Sequence, residues 1–338
     1  MIVSAGGYVS VPLVVLGRLM GCKSWVHQQD VVAGVANKVS GWFASRVSVT
    51  FEDSAPMFSQ RKVAVTGNAV RASVANGSRE RALRKFGLSE DRKTLLVLGG
   101  GGGSLWINRS VSAIADHLTE SWQVLHVTGR EKVESVKPAT HHFVVEPLIG
   151  DGMADAYALA DVVLCRAGMG TLTELATVGK PAIVIPIPNS HQEDNAFFLY
   201  EHQAALILDQ TETTPQVLLS AIRTVIEDED VMLRLSANLK LSFPKDGTKT
   251  IAEGVLELAT QSAAKWQRPE QAVKEPEEVA VDAAPSLAAT PVTEPAVSSA
   301  QEALAMESIE IQIRRALGGD STPANKGEDE PFETHSMV

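Results

Sequence analysis

Residues 162–196 hold the chain's most informative chemistry in one run, VVLCRAGMGTLTELATVGKPAIVIPIPNSHQEDNA. An apolar strand at 162–165 enters Ala167-Gly168-Met169-Gly170, and a helix is predicted from Thr171 with Glu174 on its first turn. A second apolar strand, 181–186, leads to a polar loop with His191, Gln192 and Asn195. A strand, a glycine turn and a helix start together present free backbone N–H groups and the positive end of a helix dipole. That combination suits a diphosphate. A carboxylate one turn into the helix repels phosphate but suits a neighbouring ribose, whose two hydroxyls can both donate to it. The pattern points to a nucleotide sugar. The plain alternative is a βαβ unit whose glycine turn is structural and whose glutamate is solvated.

Other segments carry related chemistry. The glycine run 99–103 lies between a predicted strand and a predicted helix, the setting of a phosphate loop; the alternative is a flexible loop without a ligand. Gln192 offers a donor and an acceptor to sugar hydroxyls, and Asn195 either does the same or holds its loop. His191 reads equally as an exposed loop residue. His27 could serve as a base near neutral pH or simply end a strand, with Asp30 the nearby carboxylate. No Cys/His cluster has the spacing of a metal site, so neither metal nor cofactor is expected.

These segments stand in a recognisable order. They are Gly6-Gly7-Tyr8-Val9-Ser10, then His27-Gln28-Gln29-Asp30 with Gly34 and Asn37, then Thr66-Gly67-Asn68-Ala69-Val70-Arg71. The glycine run with Asn108, Arg166-Ala167-Gly168 through Glu174, and His191-Gln192 with Asn195-Ala196 follow. In this the chain resembles the MurG-type glucosaminyltransferases of glycosyltransferase family 28. The resemblance implies a GT-B architecture, two Rossmann-like domains facing across a cleft. It also implies inverting transfer of N-acetylglucosamine from UDP-N-acetylglucosamine to undecaprenyl-diphospho-muramoylpentapeptide, at the cytoplasmic face of the bacterial membrane. The ligand-binding residues it implies are Arg71, Gly101, Leu148, Met169, Gly170, Thr171, Leu172, Thr173, Glu174, Gln192 and Asn195, with Asp30 from the first domain. Arg71 would reach the diphosphate or sugar, and the backbone at Leu148 the uracil.

The chain also departs from the family pattern. A GGTGGH-type loop ordinarily precedes the GGYVS segment, the usual HEQN reads His27-Gln28-Gln29-Asp30, and the usual GSQG is an all-glycine run. The first domain is therefore expected to be incomplete, and little transfer is expected from this chain alone. An inactive or partner-dependent donor-binding subunit completed by a second chain, a relative acting on another glycolipid, and a truncated gene are the alternatives.

Composition frames these expectations. The chain has 338 residues, 44% of them hydrophobic, enough for two moderate α/β cores. Residues 1–75 read as a partial acceptor-side domain, 76–261 as a complete nucleotide-sugar-binding domain of six βα repeats, and 262–338 as a disordered acidic tail. Within that tail, residues 300–317 have the pattern of a short amphipathic helix that either docks on a partner or forms transiently. The tail holds 14 acidic and 6 basic residues, so most of the net charge of −11 belongs to it. The body has no basic footprint, and 5% aromatic content gives few stacking surfaces, which argues against nucleic acid. No apolar run is long enough to span a membrane, and the start has no secretory pattern, so contact with the membrane is expected to be peripheral. Cys22 and Cys165 are expected to be reduced.

Overall fold

The structure, a computed structural model, describes residues 1–136, 140–245, 247–260 and 300–317. Two parallel sheets organise it. In the first, β1 (Ile2–Ser4), β2 (Ser24–Gln28), β3 (Arg46–Val49) and β4 (Val63–Val65) lie in sequence order, with α1 (Ser10–Leu19) and α2 (Val35–Phe43) as the first two crossovers. The helix expected over 7–21 is shorter at both ends, because Gly7 and Gly21 take positive φ and close it off.

The second unit opens with α3 (Arg79–Phe86), capped by the Ser78 hydroxyl and ended by left-handed Gly87. Its sheet contains β5 (Thr94–Leu98), followed by α4 (Leu105–Ala113) and α5 (Ala115–Ser121), then β6 (Gln123–Val127) and β7 (Phe143–Glu146). Next come α6 (Met153–Leu159), β8 (Val162–Cys165), α7 (Met169–Val178), β9 (Ala182–Val184), α8 (Gln192–Glu201) and β10 (Leu206–Ile207). The strand order is β10-β9-β8-β5-β6-β7. The chain winds outward from β5 to β7, then returns to β8 on the other side of β5. Between β5 and β8 the winding reverses, which marks the crevice outside their carboxyl ends as the usual ligand position in such sheets. The single helix expected over 105–117 is two, because the backbone leaves helical geometry at Ile114.

Helices α9 (Pro215–Glu227), α10 (Glu229–Ser242) and α11 (Gly247–Thr260) follow. Helix α11 returns to the first sheet, where a Cβ at Gly254 would lie 2.4 Å from the Trp25 ring. The units also share apolar core. Phe51, after β3, packs against Phe198 of α8 with the rings tilted at 42° and 4.3 Å between centroids, and meets Phe243 edge-on at 5.2 Å.

Helix α12 (Ala300–Ala316) lies within the acidic segment and docks on its own chain. Ile309 is buried, and the Gln312 side-chain amide bonds both the N–H and the C=O of Ile207, at 2.8 and 3.0 Å. Gln312 thereby acts as one residue of a neighbouring strand for the edge strand β10. The remaining residues beyond 260 lie outside the described ones.

The aromatic junction gives the first prediction. Phe51→Ala should cost about 3–5 kcal/mol, the range for truncating a buried phenylalanine. Urea unfolding of the purified variant checks it; a loss below about 1 kcal/mol would mean that the two units do not share this core.

Candidate functional site

The crevice between β5 and β8 brings together most of the residues singled out from sequence. After β8, Arg166-Ala167-Gly168 leads into α7, which begins at Met169, two residues earlier than expected. Glu174 therefore sits on the second turn. No side chain caps this helix start, so its first N–H groups remain available to an anion. Gly170 is exposed, and Thr171 and Glu174 are half-buried. Met169, Leu172 and Thr173 turn their side chains into the core, so only their backbone can meet a ligand.

Opposite lies the 99–103 turn after β5. Gly100 and Gly103 take positive φ, and a Cβ at Gly103 would fall 1.9 Å from the Thr128 carbonyl oxygen, so any side chain there collides with backbone. Gly100, Gly101 and Gly102 face open space. Lys132 ties the turn down by donating from Nζ to the Gly102 and Gly103 carbonyls at 2.5 and 3.0 Å.

The first domain supplies Arg71. Its Nε and one terminal nitrogen donate to the same Glu174 oxygen at 3.0 and 2.7 Å. The other Glu174 oxygen accepts from the buried Tyr157 hydroxyl at 2.7 Å. Burial, reinforced by the Glu174 charge, pushes the Tyr157 pKa well up, so it remains a donor. Tyr157 was not legible as a site residue, since it reaches Glu174 only because α6 packs beside α7.

Asn195 is fully buried and wholly engaged. Its Nδ2 donates to Asp30 Oδ1 (2.9 Å) and the Ala167 carbonyl (3.0 Å), and its Oδ1 accepts from the Val31 N–H (3.1 Å). Of its two sequence readings, holding the loop is the one with geometry behind it, and it also pins Asp30 to the second domain. Gln192 stands at the start of α8, its Oε1 accepting from the Ile187 N–H at 3.2 Å. His191 is exposed beside it, and Leu148 is exposed on the loop after β7.

His27 is buried. Nδ1 pairs with Ser48 Oγ at 2.8 Å and Nε2 with Asn68 Oδ1 at 3.1 Å, while Asn68 Nδ2 donates to Thr173 Oγ1 at 3.0 Å. Burial lowers its pKa, and both nitrogens are occupied. Its position is that of a structural histidine. Among the described residues no group of three His, Cys, Asp or Glu side chains could hold a metal ion.

His126, inside β6, is likewise buried, with Nε2 on Asn108 Oδ1 at 3.0 Å; burial takes its pKa from 6.5 to about 3. Above pH 6.5 neither the folded nor the unfolded chain protonates these two imidazoles, so they leave stability unchanged. Below it the unfolded chain takes up protons that the folded chain refuses. Stability should therefore fall by up to about 1.4 kcal/mol per pH unit for each imidazole. For His126 the loss continues down to about pH 3. Urea midpoints at pH 7, 6 and 5 test this, and His126→Gln should flatten the trend; a midpoint constant from pH 7 to 5 would contradict it.

Comparison with known proteins bears on the family and the fold. Residues 94–251 match the model of the glycosyltransferase family 28 C-terminal domain. The chain is 34% identical over 249 residues to the Bacillus subtilis UDP-N-acetylglucosamine–N-acetylmuramyl-(pentapeptide) pyrophosphoryl-undecaprenol N-acetylglucosamine transferase, covering 71% of this chain and 68% of that one. The Nocardioides enzyme of the same name is 34% identical over 275 residues, covering 78% and 74%. Among solved structures, Acinetobacter baumannii MurG superposes with a TM-score of 0.60 and 27% identity, over 75% of this chain and 72% of that one. Sharing this identity over this much of the relatives' length, the chain belongs to the MurG-type transferases of glycosyltransferase family 28, with their GT-B architecture.

Proposed function

We propose that this protein transfers N-acetylglucosamine from UDP-N-acetylglucosamine to an undecaprenyl-diphospho-muramoylpentapeptide acceptor, in building peptidoglycan. The observation that carries the donor half is the Glu174 carboxylate, held by Tyr157 and Arg71 just beyond the open N-terminus of α7. The uncapped N–H groups take the diphosphate, and Glu174 takes the ribose hydroxyls. Gln192 meets the transferred sugar, and the backbone at Leu148 meets the uracil. Arg71 exchanges the carboxylate for phosphate when donor binds.

In the transfer itself, an acceptor hydroxyl attacks the anomeric carbon as the bond from that carbon to the diphosphate oxygen breaks. The electron pair leaves with UDP, the hydroxyl proton passes to a base, and the configuration inverts. Helix N-termini and Arg71 stabilise the departing charge as it develops. His27, enclosed at both nitrogens, is not placed to take that proton.

Titration calorimetry of the full chain should show UDP-N-acetylglucosamine bound in preference to UDP-glucose. Glu174→Ala should weaken it by about 1–3 kcal/mol, the scale of hydrogen bonds to a charged group. A folded chain that takes up neither nucleotide sugar would refute the donor site.

A second reading has its own observation. β1 is an edge strand, and beside it Val9, Leu13, Leu16 and Leu19 of the α1 region are exposed. Such a face invites cover. We propose that a further polypeptide segment, in this chain's own frame or as a second chain, completes the acceptor domain there. The completed enzyme then works peripherally on the membrane; no described helix is long and apolar enough to cross one. UDP release measured with lipid acceptor, with and without a GGTGGH-containing segment, should rise by at least about 10²-fold on its addition, the scale of supplied acid–base catalysis. Full turnover by the 338-residue chain alone would refute this second reading.

A further inference from the structure

Arg166, between β8 and the turn into α7, is only 7% exposed. Its guanidinium donates to the Ile185 and Pro186 carbonyls at 3.1 and 2.9 Å, to Ser104 Oγ at 2.8 Å and to Gln210 Oε1 at 2.6 Å. It also lies 6.0 Å from the Trp106 ring centroid. Each oxygen it meets is neutral, its Nε is buried without a partner, and no ion pair to it occurs among the described residues. Arg71 differs on every count: it is exposed, comes from the other domain, and is already neutralised by Glu174.

The placement of this charge is unfavourable on its own terms. Ser104 is the N-cap of α4, accepting from the Ile107 N–H at 3.3 Å as well as from Arg166. A full cation is thus bonded to the residue that caps the positive end of a helix dipole, away from water. An anion is the natural occupant of that end, and a cation there is repelled. Burying a charge without a counter-charge costs several kcal/mol. A neutral amide could bridge carbonyls and a hydroxyl without that cost. Burial lowers the Arg166 pKa, in keeping with the same penalty. What the arrangement lacks is negative charge, and the open side of the glycine turn next to Ser104 has room for it.

We propose that Arg166 is a positioning residue for the donor diphosphate: without touching the nucleotide, it holds Ser104 and the α4 N-terminus at positive potential beneath the 99–103 turn. The inference rests on the donor-site reading above and adds the group that supplies its fixed charge. It assigns the diphosphate, rather than the uridine, as the part of the donor that Arg166 serves.

The test compares UDP with uridine, which shares the base and ribose but has no phosphate. Affinities are measured on the full chain, UDP by direct titration calorimetry and uridine by displacement of UDP. In Arg166→Gln, UDP binding should weaken about tenfold or more while uridine changes less than about twofold. Arg166→Lys keeps the charge and should hold the UDP-to-uridine ratio within about threefold of wild type, even if its melting temperature falls. A residue that merely braced the loops would move both ligands together, so equal losses, or an unchanged ratio in Arg166→Gln, overturn the proposal. If Arg166→Gln does not fold, Ser104→Ala decides instead: it cuts the link between the guanidinium and the turn, so a fall in the ratio supports the proposal and an unchanged ratio overturns it. A folded wild-type chain that binds no UDP refutes the donor-site reading itself, and this proposal with it.

Discussion

Two buried side-chain amides set the relation between the sheets. Asn68, on the loop after β4, reaches Thr173 in α7, and Asn195, in α8, reaches Asp30 and Val31 after β2. An amide removed from water must find partners for both its oxygen and its nitrogen, or lose about 1–3 kcal/mol for each group left unmet. Pulling the domains apart would break the Asn68–Thr173 bond and the Asn195 bonds to Asp30 and Val31, and would uncover the Phe51 cluster at once. The closed junction is therefore favoured in the free protein. Arg71 stands three residues beyond Asn68, so the same stretch of backbone that carries the Asn68–Thr173 bond carries Arg71 to Glu174.

The same junction explains what was and was not legible in the sequence. Glycine turns announce themselves because close backbone approach excludes a Cβ, as at Gly103 against Thr128. The strand, turn and helix of the β8–α7 unit could accordingly be read from local residues, with α7 mistaken by only two positions at its start. Asn195 could not be assigned between its two roles, because its partners Asp30 and Val31 lie 165 and 164 residues away. Tyr157 carried no local signal, and Arg166 stood out only as the first residue of the Arg166-Ala167-Gly168 segment, for a further reason. Their importance comes from which oxygens surround them, and that is settled only when α6, α4 and the loop after β9 have packed. The continuous helix expected over 105–117 failed differently: apolar periodicity persists across Ile114 although the backbone turns there.

Charge is distributed unevenly about the crevice. The first domain contributes a cation whose charge is already matched, and the second contributes one that is not. The matched pair can be exchanged when a ligand arrives, whereas the unmatched charge is permanent. Tyr157, held as a donor by burial and by Glu174, bonds the carboxylate oxygen that Arg71 leaves untouched. The starts of α4 and α7 thus each present the positive end of a helix dipole, with the Glu174 carboxylate set back on the second turn of α7.

The docking of α12 on β10 has a consequence in time rather than in space. Ile207 and Gln312 are 105 residues apart, so the edge strand leaves the ribosome long before the side chain that covers it. At about 5–20 residues per second of synthesis, the interval is roughly 5–20 s. Throughout it, the donor domain can be otherwise folded while β10 shows bare N–H and C=O groups to any neighbouring nascent chain, the arrangement that seeds strand-to-strand association. Polysomes bring such chains close together. Docking of α12 thus ends a period of vulnerability that the folded protein no longer displays.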